Sequence, residues 1–173
     1  MLYELVATIA AGFLGAGVAL IARRMVRSLP RWLVPIGAGS AMLIVAIALE
    51  YSWFDRTRAG LPDGVEVAMT RDNRAFWRPW TYLYAFVDGF IAVDKGSTRN
   101  HANVPQNRMV DIIVFARWQP PTRVRAVFDC DAGRRADIVE GVTLADDGAI
   151  NGARWVDTGL DHPVTRMACA ATS

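Results

Sequence analysis

The chain has 173 residues, 53% of them hydrophobic and 21% charged, with a formal charge of +2. These averages describe a soluble domain, but the apolar residues are gathered: from Leu5 to Ala22, and again from Trp32 to Leu49, there is no charge at all. Each run suits the roughly 30 Å of a bilayer's hydrocarbon, and the remaining ~115 residues are enough for one domain, which excludes a large multidomain enzyme.

The expected class is a membrane-anchored protein: a two-helix transmembrane hairpin over residues 1–54, with helices at about 4–22 and 32–52, a linker at 55–64, and a small mainly-β (α+β) periplasmic domain with an antiparallel sheet over 65–173. The first apolar run reads as a retained helix rather than a cleaved signal, because Glu4 precedes it and Arg23 and Arg24 follow it. Neither run shows the polar face of a surface helix. Up to Phe54 the charges are Arg23, Arg24, Arg27 and Arg31 against Glu4 and Glu50, so the rest of the chain is neutral. A short arginine-rich loop stays in the cytoplasm, which predicts a bacterial inner-membrane protein with both termini periplasmic. Tyr3, Trp32, Tyr51 and Trp53 fall at the ends of the runs, where amphipathic rings favour the headgroup layer. A neutral outer part excludes nucleic acid as a partner.

Small residues recur every fourth position in the first run, at Ala7, Ala11, Gly15 and Ala19, with Gly12 and Ala16 alongside; Gly37 and Ala41 share that spacing in the second. Such faces let helix backbones approach closely in lipid. They predict a hairpin turning at Ser28-Leu29-Pro30, the alternative being contact with another membrane protein.

Beyond the linker, patterning predicts strands at Val65 to Thr70, Trp80 to Phe86, Phe90 to Asp94, Val110 to Trp118, Arg123 to Asp129, Ala136 to Val142 and Ala153 to Val156. Turns are expected at Asp88-Gly89, Pro120-Pro121, Ala132-Gly133 and Asp147-Gly148, and the longest loop at Asn100 to Arg108. One short helix completes the expected domain. The two cysteines, Cys130 and Cys169, would lie in an oxidising compartment, where a disulfide is expected ahead of free thiols or a metal site.

From Thr122 onward the order Asp129-Cys130, Arg134-Arg135, Asp147-Gly148, Trp155, Pro163 and Cys169 resembles the periplasmic surface-adhesin E type of domain. The resemblance implies a small antiparallel sheet packed with helix, a Cys130–Cys169 disulfide, and non-enzymatic work in the envelope. The chain departs from that pattern in its two apolar helices and its Asn-rich insertion.

Catalytic signatures are missing. His101 and His162 are the only histidines and stand far apart, and no nucleophile elbow or phosphate loop occurs. Asp129 and Asp131 flank Cys130 on an expected strand and could poise two acids or bind calcium, but Arg134 and Arg135 are at hand to pair with them. Asp88 and Asp94 read as turn caps. No cofactor and no metal is expected. The unusual stretch is the aromatic-rich run from Phe76 to Phe86. Trp77, Arg78, Trp80, Tyr82 and Tyr84 form a candidate interaction surface, since aromatic residues and arginine concentrate at interface centres. The same residues could instead rest on the outer leaflet, or fill a small core with Arg74 and Arg78 lying over them. The expected function is non-enzymatic: an accessory or assembly subunit of a membrane complex, with the bilayer and other inner-membrane or periplasmic proteins as partners. The alternatives are a ligand-binding or sensing module with the loop Asn100 to Arg108 beside a pocket, and a tethered hydrolase using aspartates.

Overall fold

The computed structural model describes residues 2–139, 141–145 and 150–171. The chain divides into two compact units, Met1–Asp55 and Arg56–Ser173.

The first unit consists of α1 (Leu2–Met25) and α2 (Leu33–Tyr51), each long and apolar enough to cross a membrane. They pack on the small residues. A Cβ on Gly15 would collide with the Gly37 carbonyl oxygen and lie 2.7 Å from the Ala41 methyl, and one on Gly37 would lie 3.0 Å from the Ala19 methyl. Met42 fills the space beside Gly12, whereas nothing comes within 4 Å of Gly17. Ala7 and Ala11 are half-buried. Arg23 and Arg24 end α1, while Arg27 and Arg31 sit in the connection to α2. A short helix, α3 (Trp53–Ala59), occupies the first half of the segment read as a linker.

In the second unit, β1 (Val65–Asn73), β2 (Phe86–His101), β3 (Val104–Ala116), β4 (Gln119–Asp129), β5 (Arg134–Asp137) and β8 (Trp155–Asp157) form one antiparallel half-barrel sheet in the order β1-β2-β3-β4-β5-β8. The strands β6 (Thr143–Leu144) and β7 (Ile150–Asn151) make a separate hairpin. The register pairs Val93 with Ile112 and Val110 with Ala126, putting these residues and Phe128 on one face. There they bury against Val164 and Ala168 of α4 (Pro163–Ala170). Pro163 opens α4 at the position where a missing N–H costs nothing. Cys169 of α4 is joined to Cys130 in a disulfide, with Cα atoms 5.7 Å apart. The Arg108 guanidinium donates to the Ala171 carbonyl, so the end of α4 is held to β3 as well.

Several local expectations are corrected. Trp80 to Phe86 is not a strand: Pro79–Tyr82 is a single 3-10 turn, and β2 starts only at Phe86. Asp88-Gly89 is no turn but lies inside β2. A Cβ on Gly89 would sit 3.0 Å from the Phe115 carbonyl, so glycine there serves close approach between strands. Asn100 to Arg108 is not an open loop but the tip of the β2–β3 hairpin, with His101 paired to Val104. Pro120 and Pro121 lie in β4, where the register shifts between Val114 and Ala116 and where β5 does not reach, so the lost N–H groups break little of the ladder. Strand β5 ends at Asp137, well before Val142, and the last strand is Trp155–Asp157 rather than Ala153 to Val156. The turn expected at Asp147-Gly148 falls outside the described residues.

Candidate functional site

The stretch with the most distinctive chemistry is the connection between β1 and β2. Its base is closed by pairing of Asn73 with Phe86. Asp88 ties the two strands there, accepting from Arg71 Nε at 2.8 Å and from Asn73 Nδ2 at 2.7 Å. Within the loop, Thr81 is 1% exposed and acts as its internal peg. The Ala75 N–H donates to Thr81 Oγ1 at 3.0 Å, and that hydroxyl donates to the Arg78 carbonyl at 2.7 Å. Backbone bonds from Arg78 to Ala75, Thr81 to Arg78, and Leu83 and Tyr84 to Trp80 complete a compact loop.

With the Thr81 hydroxyl turned inward, most of the large side chains are left exposed. Phe76, Trp77, Tyr82, Leu83 and Tyr84 are 58–81% exposed. Phe76 and Trp77 brace one another edge to face, with ring centroids 5.0 Å apart. Of the residues singled out in the sequence, Trp77, Tyr82 and Tyr84 are thus exposed, Trp80 is half-buried, and half-buried Arg78 lies with its guanidinium 5.8 Å from the centroid of buried Phe86. The core reading applies to Phe86 alone of the aromatic run. Phe76 and Leu83 belong to the surface and were not among the residues picked out. The missed signal is Pro79 in the middle of the run, which denies it a strand's alternation and lets neighbouring side chains share one side. Between Arg74 and Phe86 the charges are Arg74 and Arg78, with no carboxylate.

The acids pair with arginines and backbone N–H groups rather than with one another. Asp129 ends β4 and caps the following turn, accepting from the N–H groups of Asp131 and Ala132 and from Arg134 Nη2 at 2.7 Å. Burial alone would raise its carboxyl pKa; the Ala132 N–H, Arg134 and the Asp131 N–H outweigh that and hold it below the usual value. Asp131 lies in the turn, not beside Asp129 on a strand, and Arg135 pairs with Asp137 instead. Gly133 closes the turn with φ +64°, and a side chain there would meet the backbone at Gly159 and Leu160. Asp94 and Asp111 share Arg123, and Asp111 also accepts from Arg125 Nε at 2.9 Å. His101 stands at the β2–β3 tip and His162 at the start of α4. Among the described residues no group of three metal-ligating side chains converges. Compared with protein-family models, with curated proteins and with solved structures, the chain finds no match.

Proposed function

We propose that this chain is a non-enzymatic envelope protein, anchored in the bacterial inner membrane by α1 and α2, whose periplasmic β unit binds another inner-membrane or periplasmic protein as an accessory or assembly subunit. The observation that carries the reading is the loop from Phe76 to Tyr84, whose exposed rings are mounted on a base pinned by Asp88 and Thr81. An aromatic surface held by internal hydrogen bonds loses little conformational freedom on docking, and a few buried aromatic anchors carry most of an interface's binding energy. Anchoring is supported by the exposure of Phe13, Leu14, Leu43 and Ile44, all more than half exposed on apolar helices, which suits lipid better than water. The arginines between the helices support a cytoplasmic connection and periplasmic termini. The disulfide fits an oxidising compartment, and with the sheet-and-helix packing it supports the likeness to the surface-adhesin E type of domain as part of the same proposal.

The test is a triple substitution, Trp77→Ser, Leu83→Ser and Tyr84→Ser, in the full chain purified in mild detergent. None of the three side chains is in the core, so the melting temperature should stay within a few degrees of the parent's, while partners that co-elute stoichiometrically with the parent are lost. Retention of those partners by the folded variant would refute the loop as the contact.

A further inference from the structure

A second feature stands on the sheet face opposite α4. The register sets Arg99 beside Met109 and Met109 beside Val127, a row across β2, β3 and β4 on one face. Ile150 of β7 and Asn107 complete the lining of a cavity of about 240 Å³, with His101 and Asn100 at its rim. Its floor is apolar, with Val127 buried beneath it, whereas Arg99, Asn100 and His101 are exposed.

The backbone around this cavity is irregular on both sides. From Asp94 to Arg99 the chain advances five residues in β2 while its partner advances two, from Asp111 to Met109. The excess is stabilised locally: Ser97 Oγ accepts from the Asp111 N–H at 2.9 Å, and Thr98 Oγ1 donates to the Lys95 carbonyl at 2.8 Å. A second shift falls between Asn100 and His101, where β3 carries the extra residues, and there the Gln106 carbonyl accepts from the Cys130 N–H at 3.0 Å. Two bulges with satisfied polar groups bracket Arg99 and Asn100. Bulges of this kind re-aim side chains at binding sites. At the rim, His101 Nδ1 accepts from the Asn103 N–H at 3.3 Å, which leaves Nε2 as the donor of the ring.

The geometry points to a binding site for a small anionic amphiphile, a carboxylate with a short hydrocarbon tail. Among the described residues the lining holds a guanidinium and an imidazole but no carboxylate, which complements a negative head. Met109, Val127 and Ile150 provide an apolar bed for the tail. At roughly 30 Å³ per small heavy-atom group, the share of a water molecule, the space holds about eight such groups, the size of hexanoate. Binding here is independent of the aromatic loop.

The test uses the full chain in phosphatidylcholine nanodiscs and radiolabelled hexanoate in equilibrium dialysis, with empty nanodiscs as blank. One saturable site per chain is expected, competed by pentanoate but not by acetate or hexanol. Arg99→Gln should weaken it at least tenfold and Arg99→Lys only a few-fold, with melting unchanged because Arg99 is exposed. Uptake no greater than that of empty nanodiscs, or equal affinity in parent and Arg99→Gln, would overturn the assignment.

Discussion

Asp129 shows how single side chains do structural work in this unit. Its carboxylate is 12% exposed, and it caps one turn while holding Arg134. Because its folded pKa is depressed, the stability it contributes is complete above the unfolded value of about 3.9 and is lost as pH falls through the lower folded value. Asp129→Asn should therefore cost about 1–3 kcal/mol at pH 7, and in urea melts the gap to the parent should begin to narrow near pH 4 and close as pH falls through the lower folded value. A gap independent of pH would remove the ionised carboxylate from the explanation. The pairing of Asp129 with Arg134 was legible, since the two flank a glycine turn. That Arg135 would turn to Asp137 was not, because adjacent strand residues face opposite sides and only the strand's own register says which side is which.

For elements, the sequence was most informative where one long-range pattern repeats. The two helices follow from uninterrupted apolar runs, and β3 and β4 from β-branched stretches. It misled where a local turn signal met a strong ladder: Asp88-Gly89 and Pro120-Pro121 have turn chemistry, yet both lie within strands whose neighbouring residues pair with β3. Conversely, the aromatic content of Trp80 to Phe86 has strand character, but Pro79 and the Thr81 hydroxyl bonds favour a 3-10 turn. The helix pair gives a sharp comparison. Gly15→Ala places a methyl against the Gly37 carbonyl and Ala41, whereas Gly17→Ala meets open space. Overpacking of that kind costs roughly 1–3 kcal/mol. Thermal melts of the far-ultraviolet helix signal in detergent should show Gly15→Ala lowered and Gly17→Ala equal to the parent. Equal melting of the two would contradict the close contact.

In the molecule as a whole, a small sheet relies on covalent closure. The Cys130–Cys169 bond spans 39 residues, and in the chain-entropy model a loop of that size contributes roughly 4 kcal/mol, with less found in many cases. Cys130→Ser should lower the unfolding free energy of the β unit by about 2–4 kcal/mol, read as a lower urea midpoint, and leave the helix pair intact; an unchanged midpoint in urea would show that α4 docks without it. Composition marked Phe76 to Phe86 as unusual, but a run of aromatics does not say which rings find a core. That depended on Thr81 holding the loop from within and Asp88 tying the strands at its base, and the cavity near Arg99 lies between two bulges that leave no local signature. Whether the loop is a protein-docking surface is decided by a photo-crosslinking residue placed at position 77 or 83 in intact cells, with exposed Trp118 as the control position. One discrete protein adduct is expected from 77 and 83 and none from 118. The same adducts from all three positions, or lipid adducts alone from the loop, would contradict a docking role.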